Sequence, residues 1–105
     1  MGDFKRKMEY SHLKTRSKER LGLDINRKDN VQMRNLIQKG EALFLEKESQ
    51  RVSTFYMRYE GKEFVAVYDK HRKQIVTVFY PNADKLPLIE KAREKRKQIL
   101  ELKAA

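Results

Sequence analysis

Cysteine is absent from all 105 residues, which removes disulfides, thiolate metal sites and cysteine nucleophiles from consideration at once. Glycine and proline are scarce, at four and two. So few glycines form no Gly-rich loop to cradle a nucleotide phosphate, and nucleotide-dependent enzymes of that kind are not expected. No apolar run approaches the roughly 20 residues that span a bilayer. The opening residues, Met1 to Lys7, are charged and lack the apolar stretch of a signal peptide. Two distant histidines and scattered acids give no metal-ligand spacing, and no Ser-His-acid arrangement stands out. The expectation is a cytoplasmic protein with no membrane partner, no metal and no cofactor.

What is present is charge, and mostly of one sign. Lys and Arg number 25 against 15 acids, a net charge of +10. A bias of that size in one short chain is rewarded most commonly by a phosphate backbone. Nucleic acid is therefore the expected partner, RNA rather than duplex DNA. A basic surface kept for solubility, or one meeting an acidic protein or an anionic membrane, is the plainer alternative. Hydrophobic residues at 39% against 38% charged leave material for one lean core, to which five Phe and five Tyr contribute much of the bulk. Clear apolar periods in the middle of the chain argue against disorder.

The order of patterns predicts an α+β fold: two N-terminal helices, a four-stranded antiparallel sheet and a C-terminal helix. Residues 1–10 read as a short basic arm and residues 11–105 as a single domain. Ser11 is a plausible N-cap for a helix ending at Gly22. A second helix opens between Asn26 and Asn30, with Val31, Met33, Leu36 and Ile37 as its apolar stripe and Gly40 closing it. The segments 42–47, 52–60, 62–69 and 74–80 are rich in β-branched and aromatic residues. Glu60-Gly61-Lys62 and Lys70-His71-Arg72-Lys73 suit tight hairpins. Pro81 and Pro87 mark the exit from the sheet. A last helix runs from about Leu88 to Leu102, with Ile89, Ala92, Ile99 and Leu100 partly on one side.

Strict alternation along the strands puts Val65, Val67, Val76 and Val78 on one face. Phe64, Ala66, Tyr68, Ile75, Thr77 and Phe79 then share the other, which is the better candidate for solvent and ligand. Hydroxyls and a guanidinium from Tyr56, Arg58, Tyr68 and Thr77 on adjacent strands could hold a sugar-phosphate or stack a base. Core tyrosines with hydroxyls at the edge are the simpler reading of each taken singly. The turn carrying Lys70, Arg72 and Lys73 is a natural phosphate contact, or simply a solvated loop.

The most informative local pattern is His12-x-x-x-Arg16-x-x-x-Arg20-x-Gly22. Residues four apart line one face of a helix. An imidazole and two guanidiniums in such a row present a general acid or base beside two phosphate clamps. A solvated basic helix face is the competing reading, and spacing alone favours it.

With its two helices, the Tyr68-Asp69 pair and the closing Ile75-Val76-Thr77-Val78, the chain from about Tyr10 to Tyr80 resembles the small RelE-like and BrnT-like toxin domains and related phage proteins of the barnase–colicin–RelE ribonuclease superfamily. The resemblance implies a metal-independent endoribonuclease. In such enzymes the ribose 2′-hydroxyl attacks the adjacent phosphodiester, giving a cyclic phosphate and a free 5′-hydroxyl. Carried onto this chain, His12 is the candidate general acid or base and Arg16 and Arg20 neutralise the transition state. Thr77 matches the hydroxyl position of the last strand, and Tyr68 lies near it. Relatives that have lost catalysis only bind, which leaves a non-catalytic nucleic-acid or host-protein regulator as the alternative. An acidic antitoxin or host protein is a further implied partner.

Overall fold

The computed structural model describes the backbone of residues 2–104 and the side chains of residues 10–102. Three helices and four strands follow in the order α1 (Gly2–Leu21), α2 (Arg27–Gln38), β1 (Leu43–Lys47), β2 (Val52–Tyr59), β3 (Lys62–Asp69), β4 (Gln74–Phe79) and α3 (Leu86–Ala104). The strands form one antiparallel sheet in the order β1-β2-β3-β4, the simplest meander. This is the α+β class that the sequence patterns predict. No helix among the described residues is long and apolar enough to cross a membrane.

The first helix corrects one boundary. It begins at Gly2 rather than after Ser11, so the segment expected as an arm continues the helix and Ser11 is no N-cap. The Ser11 carbonyl instead accepts a hydrogen bond from Thr15 Oγ1 at 3.0 Å, well inside the helix. Residues 2–10 contain no proline or mid-segment glycine, so nothing stops the helix extending backward. The side chains of residues 1–9, whose basic character the arm was expected to supply, lie outside the described residues. Gly22, at φ +66°, ends α1 in the left-handed conformation that glycine tolerates best.

Asn26 opens α2 with a reciprocal capping box. Its side-chain oxygen accepts from the Asp29 N–H, and its own N–H donates to Asp29 Oδ2, both at 2.9 Å. The other Asp29 oxygen accepts from the Tyr59 hydroxyl at 2.6 Å, tying the start of α2 to β2. The Tyr59 bond and the Asn26 N–H hold the Asp29 carboxyl below its usual range. Burial, reinforced by that carboxylate, pushes the Tyr59 phenol up to about 12. Glu60 and Gly61, both at positive φ, make the two-residue turn between β2 and β3.

Each sheet face buries a separate apolar layer. On one, Met57, Phe64, Ala66, Tyr68, Ile75 and Val78 pack under Leu13 and Leu21 of α1 and Met33 and Ile37 of α2. On the other, Leu43, Leu45, Tyr56 and Val65 pack under Ile89 of α3. The face expected to be open to ligand, the one with Tyr68, is the one that α1 and α2 cover.

Strict alternation also fails on β4. Val67 pairs with Thr77 but Tyr68 pairs with Ile75, leaving Val76 as an extra residue. This bulge moves Thr77 and Phe79 to the face of Val67 and Val65, and Val78 to the face of Ala66. One inserted residue inverts every later assignment on a strand. Val31 is a smaller correction: it is 44% exposed, whereas Met33 and Ile37 are buried.

The α3 helix is fastened by polar contacts as much as by Ile89. Lys85 Nζ lies 2.5 Å from Glu46 Oε1 and 3.3 Å from Glu48 Oε1. Arg93 donates to the Tyr56 hydroxyl at 2.9 Å, with its guanidinium over the ring. Arg96 donates to the Gly40 and Glu41 carbonyls at the end of α2. Beyond Arg96, Ile99, Leu100 and Leu102 are exposed, so the apolar side expected of this helix packs only in its first half.

Truncating the fully buried Leu13 to Ala should cost about 2–5 kcal/mol through the cavity it leaves. Val31→Ala should stay within about 0.5 kcal/mol. Urea denaturation of the two variants measures both, and equal losses would mean that the stripe is wrongly placed.

Candidate nucleic-acid interface

On α1 the buried row is Leu13, Ser17 and Leu21. His12, Arg16 and Arg20 each stand one residue earlier, about 100° round the helix, and therefore form the flank beside the buried seam. Arg20 closes onto the sheet: Nη1 donates to Thr77 Oγ1 at 3.2 Å and to the Val78 carbonyl at 3.3 Å. Among the described residues nothing takes its Nε or Nη2, which leaves those N–H groups without a protein acceptor. The Thr77 hydroxyl, already an acceptor, retains its own proton for a ligand oxygen.

His12 and Arg16 come together further along the same flank. With Ser11, Thr15 and Glu19 they line a shallow, open depression of about 420 Å³. Arg16 Nη1 is 3.4 Å from Glu19 Oε2, an exposed i,i+3 pair of little energetic weight. The His12 imidazole is exposed, with no hydrogen-bond partner among the described residues. Neither Arg20 nor Thr77 lines this depression. The row from His12 to Arg20 spans about 12 Å at 1.5 Å per residue, so the four residues make two adjoining pairs rather than one cluster.

The second expected constellation does not assemble. Tyr68 is 5% exposed on the α1–α2 face, its hydroxyl accepting from Gln38 Nε2 at 3.0 Å. Tyr56 is 8% exposed on the opposite face beneath Arg93. Burial leaves neither ring a face for a base. Arg58 is exposed on the Tyr56 side and stands 3.7 Å from Glu63. The hydroxyls of Tyr56 and Tyr68 are thus separated by the thickness of the sheet, and Thr77 shares a face with Tyr56 rather than with Tyr68.

The turn between β3 and β4 is built around a carboxylate. Asp69, buried at the end of β3, accepts from Arg51 Nη2 at 2.6 Å and from the backbone N–H groups of His71 and Arg72 at 2.9 and 3.1 Å. Burial, the largest single influence, pushes the Asp69 carboxyl up. The Arg51 bond and the two N–H groups together outweigh it and hold the carboxyl below its ordinary value. Arg34 Nη1 donates to the Lys73 carbonyl at 3.3 Å, closing the turn from the α2 side. Lys70, Arg72 and Lys73 thereby sit on a fixed scaffold with Lys70 and Lys73 exposed.

Four participants escaped the sequence reading. Glu19 follows Arg16 by three residues, and that spacing alone placed it in the depression. Arg51 reaches Asp69 because Val52 pairs with Asp69 across a hairpin the sequence does predict. Arg34 and Tyr80 have no such local signal, since tertiary packing alone brings them to the turn and to α1. Among the described residues no group of three His, Asp or Glu side chains is placed to hold a metal ion. Comparison with protein-family models, with curated proteins and with solved structures gives no match.

Asp69→Ala should cost about 1–3 kcal/mol, because it strands two turn N–H groups and the Arg51 guanidinium. The carboxyl titrates lower folded than unfolded, so its contribution is full above the unfolded value near 3.8 and is lost as pH falls through the folded one. Urea midpoints of wild type and Asp69→Asn should therefore converge in strong acid. A gap independent of pH would refute this account of the turn.

Proposed function

We propose that the protein binds RNA along the exposed flank of α1 and the adjoining end of β4, and cleaves it without a metal. The observation that carries the reading is the hydrogen bond from Arg20 to Thr77, which joins the helix row to a strand hydroxyl remote in sequence. The net charge of +10 supports a polyanionic ligand.

The two pairs divide the work. At the scissile phosphate, the ribose 2′-oxygen attacks phosphorus, the bond to the 5′-oxygen breaks, and a cyclic phosphate leaves a free 5′-hydroxyl. His12 takes the proton from the 2′-hydroxyl or returns one to the departing oxygen, and Arg16 offsets charge on the phosphoryl oxygens. Arg20 and Thr77, one step along the row, hold the neighbouring phosphate. Lys70 and Lys73 on the β3–β4 turn extend the basic surface for the flanking strand.

A non-catalytic binding role is the second reading, and one observation favours it. Arg16 is paired with Glu19, and Arg20 also holds a backbone carbonyl of β4, as guanidiniums in purely structural positions do. An acidic protein, whether antitoxin or host factor, would suit the same basic surface. A pull-down with and without nuclease treatment separates that partner from RNA.

Purified protein incubated with total RNA in EDTA should degrade it, and His12→Ala and Arg16→Ala should each slow cleavage by about 10²-fold or more. RNA left equally intact by wild type and variants would remove the enzyme and leave only the binder. Binding itself should weaken steeply as salt rises; affinity indifferent to salt would remove both.

A further inference from the structure

We infer that Tyr80 is a nucleobase-stacking platform beside the Arg20–Thr77 contact, so that the protein takes RNA single-stranded with one base laid on this ring. The inference rests on the RNA-binding reading and adds to it the kind of strand recognised.

Aromatic side chains here are mostly consumed by the core. Among the described residues only Tyr80 and Phe44 are aromatics with about half of their surface open, at 48% and 50%. They lie at opposite edges of the sheet, Phe44 on β1 and Tyr80 immediately after β4. The Phe44 ring packs edge-on against Phe55, far from the α1 row. Tyr80 is different in what holds it. Its hydroxyl donates to the Leu21 carbonyl at 3.3 Å, one of the last α1 carbonyls with no intrahelical donor.

The tether gives the ring a fixed place relative to the cations. Leu21 follows Arg20 directly, and the Arg20 guanidinium bonds the Val78 carbonyl two residues before Tyr80. Arg20 of α1, with Thr77 and Tyr80 three residues apart at the end of β4, thus brings a guanidinium, a hydroxyl and an aromatic ring to one edge of the sheet. Pro81 follows and restricts the backbone that carries the ring. Ordering the side chain costs little on binding, because the structure has already ordered it.

A cationic contact to the backbone combined with an aromatic platform is how single strands are held without sequence readout. Bases in a duplex are already stacked on one another and cannot lie on this ring. Discrimination of single strand from duplex is therefore assigned to Tyr80, and electrostatic attraction to Arg20 and its neighbours.

The test measures binding of a short labelled single-stranded RNA and of an RNA duplex of equal length over a salt series. Tyr80→Ala should weaken single-strand binding by about tenfold, leave duplex binding unchanged and keep the salt slope. Tyr80→Phe, which keeps the ring and loses only the tether, should bind between wild type and Tyr80→Ala. Tyr80→Leu, which keeps bulk without a π-face, should match Tyr80→Ala and serves if the smaller variant fails to fold. Arg20→Ala should instead reduce the salt slope by about 0.7. Ring-deleted variants that bind single strands as wild type does, or that lose duplex binding equally, would overturn the inference while the RNA-binding reading stands. A loss in Tyr80→Phe as large as that in Tyr80→Ala would overturn it too, by moving the whole effect to the hydroxyl tether. Wild type with no affinity for either RNA would end both.

Discussion

Leu13, Ser17 and Leu21 lie buried along one line of α1, and the register of that line against β4 governs most of what faces solvent nearby. A helix turns about 100° per residue, so seating this line on the sheet leaves the preceding residues no choice of direction. His12, Arg16 and Arg20 are carried to the flank, and the last of them meets the strand. The same seating lays α1 over Ile75 and Val78 of β4, the strand at one edge of the sheet. Ser17 is tolerated in the seam because its hydroxyl donates to the Leu23 carbonyl at 2.9 Å.

The positive charge is less uniform in purpose than its total suggests. Lys85, Arg93 and Arg96 dock α3, Arg51 braces the β3–β4 turn, and Arg34 closes that turn from α2. These cations meet carboxylates, carbonyls or a phenol, and their removal would be felt first as loss of structure. His12, Arg16, Lys70 and Lys73 have much weaker structural claims on them. Arg20 belongs to both groups, since Nη1 is committed to β4 while Nε and Nη2 have no acceptor among the described residues. Net charge attracts a polyanion at a distance, but only the uncommitted cations can grip one.

Most of the architecture was legible because its signals are local. The capping residue Asn26, the Glu60-Gly61 turn and the β-branched runs each act over a few residues, and the strands fall within a residue or so of where alternation puts them. The candidate site was legible only in its helical half. Spacing of four along α1 survives folding, so His12, Arg16 and Arg20 do share a flank. In the strand half, the covering helices take Tyr56 and Tyr68 off the surface, and the bulge at Val76 turns Thr77 over because no residue type there announces an extra position. A valine in a run of valines and isoleucine looks the same whether paired or bulged.

The order of residues by itself determined the class of fold, the four-strand meander, the row of three basic side chains and the exclusion of cysteine chemistry. Each follows from composition or from periodicities intrinsic to helices and strands. The tertiary structure alone decided which sheet face is covered, that Tyr56 and Tyr68 are buried on opposite sides, and that Arg20 reaches Thr77 while Tyr80 is held open beside it. Those outcomes depend on how whole layers pack and on a single inserted residue. Both are properties of contacts between segments distant in the chain, which local pattern cannot encode.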